Sequence, residues 1–171
     1  EFYDRKIHEP GKVILELDKV RSPAHPHIEI SLQIHAGEIV GIAGLVGAGR
    51  TELLETIFGV TPALGGTIKV NGQAVHPKSP EEAISAGMAL APEDRKLHGL
   101  VLPMTVGENA SLASLKRDQN NGLLNFEAEK DVANEAVDQL QIKTPHLEQV
   151  ARFLSGGNQQ KIVLGKWLAL K

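Results

Sequence analysis

The chain has 171 residues, no cysteine, and 18 basic against 21 acidic side chains, for a formal net charge of −3. That length suits one domain with its own core, and the missing thiols exclude disulfide frameworks, thiolate zinc sites and cysteine nucleophiles. The charge balance argues against a broadly basic nucleic-acid-binding face, and the longest apolar stretch, residues 38–48, is too short and too glycine-broken to cross a bilayer.

Residues 1–12 are polar and aperiodic, read as a tail or incoming linker without a signal-peptide core. Residues 13–17 predict a strand, and 22–27 a loop rich in Pro and His. Residues 28–34 alternate Ile28, Ile30, Leu32 and Ile34 with polar neighbours, the pattern of a half-buried strand. Residues 39–43 lack that alternation and predict a fully buried strand. A helix is expected from about Arg50 to just before Gly59. Asn71-Gly72 between β-prone segments predicts a hairpin over 67–75. Ser79-Pro80-Glu81-Glu82 is a capping-box pattern with Pro at the first helical position, closed by Gly87, and 88–91 read as another buried strand. Thr105-Val106-Gly107-Glu108 opens a second capped helix running towards Leu115, followed by a polar loop over 116–122. A long amphipathic helix is expected near 126–140, with Val132, Ala133, Ala136, Val137 and Leu140 on its apolar face. Ser155 is placed to cap a last helix containing Ile162, Val163, Trp167 and Leu168. The order implies an α/β core with an antiparallel strand layer and a helical insertion.

Chemistry concentrates in two places. Gly44-Leu45-Val46-Gly47-Ala48-Gly49-Arg50-Thr51 matches the phosphate-loop pattern, with Arg50 where lysine is usual. Glycines let backbone N–H groups turn towards phosphate oxygens, and the following helix directs its positive end at the same anion. Arg50 would meet the β and γ phosphates, and the Thr51 hydroxyl would join the shell of Mg²⁺. A dinucleotide fingerprint fits worse, because counting from Gly47 puts Glu52 at its third glycine. Arginine presents a planar fork where lysine presents a point charge, so the exchange favours binding over rapid turnover at this loop. The second place is Leu154-Ser155-Gly156-Gly157-Asn158-Gln159-Gln160-Lys161, another helix start with a hydroxyl and two glycines, hence a second candidate anion site.

Together these motifs resemble the phosphate loop and signature of ATP-binding cassettes, in the form found in the ATP-binding subunits of bacterial monosaccharide importers (ribose, galactose, xylose and arabinose type). Those subunits carry two cassettes, and this chain is similar to the second. Gly47-Ala48-Gly49-Arg50-Thr51-Glu52-Leu53 resembles that cassette's arginine-bearing loop. Ala91-Pro92-Glu93-Asp94-Arg95-Lys96 resembles its Q-loop, with Glu93 in the glutamine's place. Leu102-Pro103-Met104-Thr105-Val106-Gly107-Glu108-Asn109 resembles the lead into the helical subdomain.

The resemblance implies a P-loop NTPase fold of the ABC nucleotide-binding type, in truncated form. Residues 1–12 would be the linker between cassettes, 13–103 the α/β core with its antiparallel part, 104–153 the helical subdomain, and 154–171 the signature helix. It implies ATP and Mg²⁺ as cofactors, with residues 44–52 on the phosphates of a degenerate site. Residues 154–159 would complete, in trans, the ATP site of a first cassette or a second copy, and the segment 93–98 would carry the motion to a membrane subunit. The implied parent is an ATPase at the inner face of the bacterial plasma membrane. Its partners would be transmembrane permease subunits and a periplasmic or extracellular sugar-binding protein, with no role for nucleic acid. The Walker B strand, D-loop and switch histidine of the family cannot be located before Lys171, so no catalytic residue is assigned and hydrolysis by the chain alone is not expected. A non-hydrolysing module that completes a partner's site is the alternative. A P-loop kinase or GTPase leaves residues 154–161 unexplained.

The seven histidines are scattered. His25 and His27 are read as part of a surface loop with no third metal ligand. The family's usual adenine-stacking ring has no counterpart over 20–23. Trp167 is expected in the core, and the acidic face of the long helix in solvent.

Overall fold

The computed structural model describes residues 9–170. They form two compact units, one ending at Ala89 and the other starting at Leu90.

In the first unit, β1 (Val13–Arg21) is an inner strand of a four-stranded antiparallel sheet, between β2 (Ile30–His35) and β3 (Gly65–Val70), with β4 (Gln73–Val75) beyond β3. Alternation decides its two faces. Leu15, Leu17 and Val20 turn to the core with Ile30, Leu32 and Ile68, and Leu53 and Ile57 of α1 (Arg50–Ile57) pack on them. On the opposite face Glu16 lies between Gln33 and Lys69 and binds both, with Lys69 Nζ 2.7 Å from Glu16 Oε1. That pair lowers the Glu16 pKa and raises that of Lys69, chiefly through their shared hydrogen bond. Asn71 and Gly72, with φ of 50° and 79°, make the expected hairpin turn. The Ser79 hydroxyl caps α2 (Pro80–Ser85), while Glu82 reaches back to the amide of Lys78. Residues 11–12 already bond to Ala36. The first eight residues of the expected linker lie outside the described residues.

Two expectations fail here. Residues 39–43 form no strand and are not buried: Ile39 is 98% exposed and Val40 and Ile42 each 40%. Residues 88–91 form no strand either. Both runs have the composition of buried parallel strands, but such strands need hydrogen-bonding neighbours and cover on both faces. Among the described residues neither run has a strand partner.

The second unit is helical. Thr105 and Glu108 close a complete capping box at α3 (Val106–Ser111). This helix stops well short of Leu115 because Ser111 and Ser114 hydroxyls bond back to main-chain carbonyls, competing with continued helix. A short α4 (Leu115–Asp118) occupies the start of the expected polar loop. α5 spans Phe126–Leu140, capped by Asn125, and α6 spans Gly156–Leu168. Ala110, Ala133 and Ala136 are buried together, which lets α3 and α5 approach closely. A Cβ on Gly165 of α6 would lie 3.0 Å from the Ala136 Cβ. Leu100, Val106, Ile142, Ile162 and Val163 form the larger core. Trp167 is half-buried, under the ammonium of Lys166.

Candidate functional site

The sequence-predicted residues fall into two groups, one on each unit. In the first, the loop over 44–49 leads into α1 without a preceding strand. Gly47 and Gly49 both have φ of 82°, in the left-handed region closed to most side chains. Gly49 serves as the helix N-cap, with no side chain bonding to the first-turn amides. Ala48 N–H bonds to the Leu45 carbonyl at 3.1 Å, which tightens the loop. A Cβ on Gly44 would lie 2.9 Å from the Ala48 Cβ and 3.6 Å from Arg50 Cδ, so the Arg50 stem folds back along the loop. Leu45, Val46, Arg50 and Thr51 are exposed, and Glu52 is half-buried in the first turn. Alternating left-handed glycines ahead of an uncapped helix start form a cradle suited to a polyphosphate.

A further residue beside this loop is one that the sequence places only in a surface loop. The imidazole of His25 lies against Gly49: a Cβ there would be 2.4 Å from His25 Cδ2 and 2.6 Å from Nε2. Its backbone is fixed on both sides, since His25 N–H bonds to Ser22 and the His25 carbonyl accepts from Ile28 N–H. No sequence pattern signals such a contact between a Pro-rich turn and a glycine 24 positions on.

In the second unit, Ser155 is the N-cap of α6, but its hydroxyl accepts no bond from the first-turn amides. It accepts instead from Asn158 Nδ2 at 3.0 Å, while Asn158 Oδ1 accepts from Lys143 N–H. Ser155 and Gly157 are exposed, Gly156 is half-buried and Leu154 packs against the core. Gln159 differs from its neighbours: it is 3% exposed, its Oε1 accepts from Arg95 Nε at 3.2 Å, and its Nε2 donates to the Ala151 carbonyl. The exposed part of this helix start is therefore Ser155 and Gly157, with Gly156 half-buried between them.

Upstream, Glu93 is exposed just before a π-helical turn, Arg95–Gly99. Asp94 caps this turn, accepting from Lys96 and Leu97 N–H, and these bonds, Leu97's first, lower its carboxyl pKa. Asn109, quoted above only as part of a motif, is 1% exposed and ties Val101 and Thr105 to α3 through three bonds.

The ABC transporter family profile matches residues 28–171. The chain belongs to the ABC transporter family. It is 49% identical over 142 residues to the ribose import ATP-binding protein RbsA of Rhodopirellula baltica, covering 82% of this chain and 28% of that protein. It is 46% identical over 171 residues to the ribose import ATP-binding protein RbsA 1 of Rubrobacter xylanophilus, covering 98% and 34%. The chain thus spans about a third of the length of the curated relatives it matches. A nucleotide-free ATP-binding cassette from an ABC transporter superposes with a TM-score of 0.73 at 20% identity, covering 93% of this chain and 66% of that one. The ADP conformation of the cassette MJ1267 gives 0.72 at 20%. The fold is that of an ABC cassette, with its antiparallel sheet and helical part.

Proposed function

We propose that this chain is part of the second cassette of a two-cassette sugar importer subunit, holding ATP at residues 44–52 and lending its signature to the first cassette's ATP. The observation that carries the reading is the occurrence, in order, of two glycine-led helix starts without a side-chain cap, at Gly49 and at Gly156, in a chain of this family. When bound, ATP supplies a triphosphate anion and the free energy of its terminal anhydride. The amides of residues 44–49 other than that of Ala48 would bind the phosphates, Arg50 would neutralise their charge, and the Thr51 hydroxyl would take a place in the Mg²⁺ shell. A planar guanidinium spreads the charge that lysine would focus, so this loop binds nucleotide with little turnover of its own. Ser155 and the amides of Gly156 and Gly157 offer donors to the terminal phosphate held by the other cassette.

In this reading the segment 93–98 transmits closure to membrane-embedded permease subunits that receive sugar from a binding protein. No helix among the described residues is long and apolar enough to cross a membrane, and in this reading the cassette acts from the cytoplasmic face as a peripheral subunit. Arg50 also favours a second reading, in which the chain only completes a partner's site.

The test is ATP turnover by a two-cassette polypeptide carrying Ser155→Ala. The composite reading expects turnover to fall by about tenfold or more, the scale of losing one charge-stabilising donor. Undiminished turnover would refute the assignment in trans.

A further inference from the structure

The π-helical turn Arg95–Gly99 does not merely precede α6 in the chain; it is fastened along that helix. At the helix start, Arg95 Nε donates to the buried Gln159 Oε1 at 3.2 Å. The guanidinium also lies over Gly156, where a Cβ would be 2.6 Å from Nη2. In mid-helix Gly99 lies flush on Val163, where a Cβ would be 2.9 Å from Val163 Cγ2. Further along, Lys166 Nζ donates to the Gly99 carbonyl at 2.7 Å. Positions 156, 159, 163 and 166 fall on one stripe of a 3.6-residue helix, so a single face of α6 receives the turn.

The first of these contacts is the informative one. A cation beside a helix N-terminus gains nothing from the helix dipole. The neutral Gln159 holds it there with one bond while spending its own amide on Ala151. We infer that Arg95 is a positioning residue that clamps the turn over 94–99 to the first turn of α6, so that the segment 93–98 and the Ser155–Gly157 end move as one body. Gln159 is then Arg95's partner and not a ligand contact. The role assigned to Arg95 rests on the composite reading above, because only there do the two ends act on different partners.

Two measurements test it. Amide exchange on this chain compares wild type, Arg95→Ala, Gln159→Leu and the double variant. Each single change should raise exchange about tenfold in both 94–99 and 155–160, and the double no further than the larger single effect. Faster exchange confined to 94–99, or effects that multiply in the double variant, would overturn the clamp. Should Arg95→Ala fail to fold, Arg95→Lys keeps the stem and charge but removes Nε, and should give the same paired response.

The second measurement uses the two-cassette polypeptide. Arg95→Ala should lower kcat for ATP about tenfold while nucleotide affinity at residues 44–51 stays within about twofold, a split that general destabilisation would not produce. Ser155→Ala serves as the control. If Ser155→Ala lowers turnover and folded Arg95→Ala does not, the positioning role fails and the composite reading stands. If Ser155→Ala is fully active, the composite reading itself fails, and amide exchange alone decides whether the two segments are joined.

Discussion

Gly49→Ala tests the phosphate loop at its most constrained point. The substitution meets two separable costs. A φ of 82° places an L-residue in the left-handed region, at about 1–2 kcal/mol. The new Cβ would also sit 2.4 Å from His25 Cδ2, roughly 1 Å inside ordinary contact. The His25 backbone is held by Ser22 and Ile28, so relief must come from rotating the half-buried ring outward, at about 1 kcal/mol, the low end for overpacking. The sum is about 2–3 kcal/mol against α1 and its loop. In a His25→Gly background the ring term vanishes and only the φ term, about 1–2 kcal/mol, remains. The assay is amide exchange across α1 with and without His25, alongside titration of a fluorescent ATP analogue. Affinity should fall at least tenfold in Gly49→Ala and recover in part when His25 is removed as well. An equal cost in both backgrounds would show that the ring does not touch the loop. A cost below about 0.5 kcal/mol would show that the loop does not hold this conformation.

Three further outcomes follow from the second unit, whose helix α6 carries the chain's one tryptophan, a local reporter. Ile162→Ala, at a fully buried position, should cost about 2–5 kcal/mol, read as an earlier Trp167 fluorescence transition in urea. Asn109→Leu should cost about 1–3 kcal/mol by leaving the buried main-chain groups it binds unpaired. A smaller loss than for Asn109→Ala would show that packing, not hydrogen bonding, is what the site requires. Burial lowers the Lys166 pKa, so between its folded value and the ordinary lysine range the unfolded chain binds more protons. Stability therefore rises with pH through that window and lies on its lower plateau below it. Urea midpoints at about pH 8 and about pH 10 should show this rise, and Lys166→Met should abolish it.

Local chemistry was legible wherever a segment's partners are its own neighbours. The extent of α5 follows from its apolar stripe, the β3–β4 turn from Asn71-Gly72, and the α3 start from Thr105 and Glu108. The glycine spacing over 44–49 and 156–157 likewise marks the two helix starts at which we propose that phosphate binds. Burial of 39–43 and 88–91 was misread because an apolar run records what a segment would accept, not whether strands exist to receive it.

The sequence by itself therefore determined the helix starts, the hairpin and the family, since these depend on residue type at fixed short spacing. Only the tertiary structure decided that Gln159 turns inward to Arg95, that His25 rests on Gly49, and that Lys166 reaches Gly99. These contacts join residues 64, 24 and 67 positions apart, and no local periodicity or propensity encodes such a meeting. It is set by how folded elements pack, and that packing decides which side chains surround each motif.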